Sequence, residues 1–205
     1  MRARTSRLNL SMAAIPEGFP HHFLGGSERL GNDGVFFRQA HDDCAGAAIK
    51  MVLDFFKIPI EYGQIRQRLN PGPEGVTMLD LKRFVETKGL RCEGWRLSFQ
   101  DLPQIPLPAV LLLRRNHFVV LERCTPVDGI ILLDPVQGRL RLRSQNLLSV
   151  WKGETLLFCL EADEARYGRW LAVHYDIMKE KMAKPLLRRT RKNGPIITGE
   201  KGGAA

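Results

Sequence analysis

Cysteine is scarce in this chain of 205 residues, and what there is stands scattered at Cys44, Cys92, Cys124 and Cys159. No paired spacing frames a disulfide-stapled domain or a zinc ribbon. His41 and Cys44 are separated as two metal ligands can be, yet no second pair accompanies them, so neither metal nor cofactor is expected. No run approaches the ~18 apolar residues of a membrane helix. Acidic residues are missing before Glu17, but the apolar stretch from Leu8 to Ile15 is too short and too polar for a good signal peptide. Aromatic interleaving is absent from the basic run Lys179 to Lys192, where seven Lys or Arg face Glu180 alone; no nucleic-acid partner is expected.

What remains is ordinary for a globular protein, 44% hydrophobic and 26% charged, and the length fits one domain with extensions. Residues 1–35, broken by Gly25, Gly26, Gly31 and Gly34, read as a partly disordered N-terminal extension. Residues 36–162 carry the folded pattern. Residues 163–205 read as an amphipathic helix around Trp170, Leu171, Val173, Ile177 and Met178, followed by a basic tail. That tail is either a solvated end or a docking element for an acidic membrane surface or a protein partner.

The informative segment runs from Gln39 to Phe56. Ala47, Ala48, Met51, Val52 and Phe55 follow the spacing of one buried helical face, so a helix is expected to begin near Cys44. The unpaired N–H groups of a helix start favour a thiolate, the reactive form of cysteine. Small residues after Cys44 would let another layer approach closely. The competing reading is a buried structural cysteine. Asp42 and Asp43 can cap the helix, yet they would also repel a thiolate.

A nucleophilic cysteine needs a histidine and a group to orient it. Three β-rich runs, Ala109 to Leu113, His117 to Leu121 and Gly129 to Asp134, suggest an antiparallel meander. If the last two pair about residues 125 and 126, His117 lies almost opposite Asp134, within hydrogen-bonding reach. A slip of one residue would part them. Helices near 44–56, 60–69 and 77–88 precede the strands, which indicates an α+β fold with the Cys44 helix packed on the sheet. Phe36, Phe37, Leu111, Leu113, Val119, Leu121, Ile131 and Leu133 are the expected core.

Taken in order, several blocks resemble the double-glycine leader peptidases, papain-like domains of bacteriocin-exporting ABC transporters. They are Gln39 with Asp43-Cys44 and Ala47-Ala48, Gly75-Val76-Thr77 with Asp80-Leu81, Asn116-His117-Phe118-Val119-Val120-Leu121, Leu133-Asp134-Pro135 with Gly138-Arg139, and Trp151-Lys152-Gly153. The resemblance covers roughly residues 36–161. It implies a papain-like fold with N-terminal helices on a C-terminal antiparallel sheet. It also implies Cys44 as nucleophile, His117 as general base and acid, Asp134 as orienting carboxylate and Gln39 as oxyanion donor. Gln39 stands five residues before Cys44, where the family usually has its glutamine six before, and Arg38 takes that place.

The resemblance further implies a cysteine endopeptidase that removes a leader after a Gly-Gly pair. It would work in the cytoplasm, with peripheral contact at the inner membrane and a separate ABC exporter as partner, since no transporter follows Ala205. The alternative is a non-catalytic domain that holds peptide cargo for an exporter; a transferase resolving the thioester with an amine is a third reading, separable by product mass. Phe23-Leu24-Gly25-Gly26 looks like a site such a peptidase cuts and raises self-trimming, although Gly-Gly pairs are also common in loops.

Overall fold

The computed structural model describes residues 24, 26–40, 43–69 and 75–160. The N-terminal residues 1–23 and the expected amphipathic helix and basic tail of 163–205 lie outside the described residues, as do His41 and Asp42.

Three helices come first: α1 (Cys44–Phe55), α2 (Tyr62–Leu69) and α3 (Met78–Glu86). Helix α1 starts at the cysteine, as its apolar spacing requires. Its buried face runs through Ala45, Ala48, Ile49 and Val52, so Phe56 continues it and Phe55, expected inside, is 59% exposed. Helix α3 begins with a capping box, in which the Thr77 hydroxyl accepts from the Asp80 N–H and the Asp80 carboxylate accepts from the Thr77 N–H. After it, Gly89 takes a left-handed φ of 74° and turns the chain into the sheet.

The sheet has seven strands: β1 (Glu28–Gly31), β2 (Leu90–Arg96), β3 (Ala109–Leu113), β4 (His117–Thr125), β5 (Gly129–Asp134), β6 (Gly138–Leu142) and β7 (Trp151–Leu160). A short helix, α4 (Ser144–Val150), links the last two. The order is β1-β6-β5-β4-β3-β7-β2, and every pairing is antiparallel. The expected meander is its middle, β3 to β5. Strand β1 falls in the stretch read from sequence as an extension; it pairs with β6 at the sheet edge.

Both faces of the sheet are covered, which is why β3 to β5 read as continuous apolar runs rather than alternating ones. On one face α1, α2 and α3 pack against Val110, Phe118, Val120, Leu133, Leu156 and Phe158. The other face buries Leu111, Val119, Leu121, Leu132 and Leu157 against Leu24, Trp95, Leu102 and Leu147. Mixed helices and an antiparallel sheet make the α+β fold expected from the sequence. Phe37, expected in the core, is 38% exposed, because it sits on the segment approaching α1 and not on a strand.

Candidate active site

Cys44 opens α1, His117 opens β4 and Asp134 ends β5, so one end of the sheet and one helix terminus converge. The His117 Nε2 is 2.9 Å from Asp134 Oδ2. The Cys44 thiol is within hydrogen-bonding reach of the imidazole and lies 3.7 Å from the Asn116 carbonyl. With Nε2 turned to the carboxylate, Nδ1 is the nitrogen left for the thiol.

The carboxylate is held from several sides. Asp134 is fully buried, and its Oδ1 accepts from the N–H groups of Val136 (2.7 Å) and Gln137 (3.1 Å). The Gln137 amide also reaches Oδ2, at 3.5 Å. Burial alone would push the Asp134 carboxyl up; the His117 hydrogen bond and charge and the two N–H groups overcome it, leaving the carboxyl below its ordinary range. For His117, burial pushes down, but the hydrogen bonds to Asp134 and then Cys44 outweigh it and bring the imidazole up to about 9.

His117 and Asp134 are not cross-strand partners. Strands β4 and β5 pair Thr125 with Gly129, Cys124 with Ile130 and Arg123 with Ile131, then resume with Leu121–Leu132 and Val120–Leu133. One extra residue, Glu122, is therefore inserted in β4. The hairpin turns about Val127, not about residues 125 and 126. Continued beyond the bulge, the register sets Asp134 opposite Val119, with His117 diagonal to it on the same face, still within reach of long side chains. Without the bulge Asp134 would fall opposite Val120 and His117 would project to the other face. Core membership shows the same slip: Val119 and Leu121 face away from α1, and past the bulge Cys124 resumes that face, not Arg123.

Asp43 does not use its side chain to cap α1. Its carboxylate turns toward α2, with Oδ2 3.4 Å from Arg66 Nε, an ion-pair distance without hydrogen-bond geometry. Burial, then the hydrogen bond to Asp43, raises the Tyr62 phenol, so Tyr62 stays a neutral donor; its hydroxyl is 3.3 Å from the Asp43 carbonyl. Arg66 thus sets a positive charge beside the Asp43 carboxylate. Gly46 makes this approach possible, since a Cβ there would sit 3.0 Å from Asp43 Oδ1 and 3.3 Å from the Tyr62 hydroxyl. The layer admitted by the small residues after Cys44 is α2.

Gln39 is exposed, and Arg38 beside it is tethered by its N–H to the Pro135 carbonyl, 3.0 Å away. The remaining cysteines are elsewhere: burial raises the Cys92 and Cys124 thiols, at Cys92 against the lowering charge of Lys82. Sequence reasoning missed Asn116 as a site residue. It takes a left-handed φ of 55° and aims its carbonyl at Cys44; asparagine just before the histidine was the available signal, since it tolerates this conformation. Leu24 is buried on the face away from α1, so self-trimming at the adjacent glycines would require it to leave the core.

The Peptidase C39 family matches residues 34–163. The chain belongs to that family. This sets it among the cysteine peptidases, the class implied by its sequence. It is 31% identical over 121 residues to a probable functional amyloid protease, FapD, of Pseudomonas aeruginosa, covering 54% of this chain and 53% of the relative. FapD of Pseudomonas fluorescens is 35% identical over 83 residues, covering 39% of this chain and 36% of the relative. The chain thus spans about half or less of these relatives. A solved double glycine motif protease from an AMS/PCAT transporter, in complex with the leader peptide, superposes with a TM-score of 0.58 at 23% identity, covering 60% of this chain and 89% of that one. At that identity the match speaks for the papain-like fold. Among the described residues no helix is long and apolar enough to cross a membrane, and no cluster of three or more metal-ligating side chains occurs.

Proposed function

We propose that this chain is a cysteine endopeptidase that cleaves a precursor peptide after a Gly-Gly pair, with Cys44, His117 and Asp134 as its triad. The observation that carries the reading is the imidazole of His117, held by the buried Asp134 carboxylate on one nitrogen and facing the Cys44 thiol with the other. An imidazole brought up to about 9 keeps a proton at neutral pH, so it can hold the proton the thiol gives up when the sulfur attacks.

The Cys44 sulfur attacks the carbonyl carbon of the second glycine. The tetrahedral oxyanion collapses, the C–N bond breaks, and the imidazolium gives its proton to the departing amine. A water then gives one proton to the neutral imidazole and attacks the thioester; the C–S bond breaks, the leader leaves as a carboxylic acid that releases its proton to solvent, and the thiolate and imidazolium are restored. Asp134 orients the ring and stabilises its charge throughout. Gln39 and the Cys44 N–H are the donors proposed for the oxyanion. A glycine pair suits a narrow cleft, because it brings no Cβ atoms to the reacting bond.

The precursor is proposed to belong to an exported peptide, with an ABC exporter or the membrane surface as the docking partner of the basic C-terminal tail. The likeness to FapD favours a second substrate class for the same chemistry, a functional amyloid protein. The test is mass spectrometry of Gly-Gly leader peptides and of a functional amyloid protein incubated with wild type and Cys44→Ala. Cleavage after the second glycine that disappears in the variant supports the proposal. Tight binding without cleavage by either protein would overturn it in favour of a cargo-holding domain.

A further inference from the structure

The residue inserted at the bulge has a partner that the chemistry above does not use. Arg139 donates through Nε to Glu122 Oε2 (2.7 Å) and through Nη2 to Oε1 (3.0 Å), a bidentate fork. Arg139 pairs with Leu133 across β6 and β5, and Leu133 pairs with Val120 across β5 and β4. The fork therefore spans β5 from one neighbour to the other, next to the residue that precedes Asp134. The guanidinium is raised first by its hydrogen bond to Glu122, and Asp33 adds to its negative surroundings.

A bulge is a local choice of register, and a shift of one residue flips every side chain beyond it. Here the stretch beyond it is Leu121 back to His117. We propose that Glu122 and Arg139 are positioning residues, whose ion pair fixes the bulge in β4 and so keeps His117 on the same face as Asp134. An exposed ion pair adds little to stability as a rule, but a bidentate arginine fork adds geometric specificity, which is what a register lock needs. The other ion pair of this hairpin, Arg123 with Asp128 at 3.3 Å, lies on the turn side of the bulge and spans no third strand.

The inference deepens the peptidase reading and rests on it, but its test needs no substrate. The His117 imidazole is titrated by NMR, and Cys44 alkylation by iodoacetamide is timed across pH, in wild type, Glu122→Gln, Arg139→Gln and Arg123→Gln. In the first two variants the His117 midpoint should fall from about 9 toward 6.5, and Cys44 alkylation at neutral pH should slow by about tenfold. Arg123→Gln should leave both unchanged. The swap of Glu122→Arg with Arg139→Glu should recover part of the midpoint. Should Arg139→Gln not fold, Arg139→Lys keeps the charge, loses the fork and is expected to shift the midpoint alike. A wild-type midpoint in folded Glu122→Gln and Arg139→Lys overturns the proposal, as does an equal shift in Arg123→Gln. Failure to cut any Gly-Gly peptide with these results intact would sink the substrate and leave the register lock standing.

Discussion

His117 Nε2 lies 2.9 Å from Asp134 Oδ2, and the strands that carry them approach this contact diagonally across a bulge. The pair sets a pH window. His117 is raised from 6.5 to about 9, so its contribution to stability is complete below 6.5 and is lost as pH rises through about 9. Asp134 is lowered from 3.8, so its contribution is present above 3.8 and is lost as pH falls through its lower folded value. Peptide cleavage should follow the same upper limit, because the amine leaves with the imidazolium proton. A pH profile of kcat/KM is expected to fall on a basic limb near 9; a basic limb near 6.5 would contradict the assignment.

Asp134→Asn and Asp134→Ala should part company. Both remove the charge that stabilises the imidazolium, so cleavage should drop on the order of 10²-fold or more, with the basic limb moved toward 6.5. The alanine variant also strips the acceptor from the Val136 and Gln137 N–H groups, which should cost a further ~1–3 kcal/mol of stability. Denaturant unfolding of the two variants beside activity separates orientation from turn support.

Much of this was legible because it is local. The start of α1 at Cys44, the Thr77–Asp80 box and the apolar runs of β3 to β5 each follow from spacing within a few residues. The register that joins His117 to Asp134 was only half legible. Parity was anticipated, but the hairpin turns about Val127 and recovers that parity through the bulge at Glu122, and bulges leave little trace in an apolar pattern. Strand β1 was missed because Glu28-Arg29-Leu30-Gly31 has no alternating apolar pattern; its pairing with β6 is a long-range choice. The place of Asp43 before the helix suggests a cap, whereas Arg66 and Tyr62 of the next helix decide where its carboxylate points.

Asn116 offers a test of backbone geometry. Its φ of 55° aims its carbonyl at the Cys44 thiol. Asn116→Gly should leave stability within about 1 kcal/mol, because glycine enters this region freely. Asn116→Val should cost about 1–3 kcal/mol and slow Cys44 alkylation, because a β-branched residue resists it and the turn into β4 must shift. Equal thermal midpoints and equal alkylation in the two variants would show that the turn carries no constraint.

Gln39 separates oxyanion stabilisation from activation of the thiol. It is exposed, next to Arg38, whose N–H is held by the Pro135 carbonyl, so the role proposed for it is a turn of its amide toward a bound carbonyl oxygen. Iodoacetamide reacts at a saturated carbon and develops no such oxyanion. Alkylation of Cys44 should therefore proceed at the wild-type rate in Gln39→Ala. Peptide cleavage should fall by about 10²–10³-fold in kcat, the usual loss on removing one preorganised donor. Arg38→Ala is the companion measurement, since Arg38 is the neighbouring long donor on the same segment. A kcat unchanged in Gln39→Ala and lost in Arg38→Ala would transfer the role to the guanidinium. Loss of alkylation together with cleavage in Gln39→Ala would instead mean that the segment shapes the Cys44 helix start, and that Gln39 acts on the nucleophile rather than on the oxyanion.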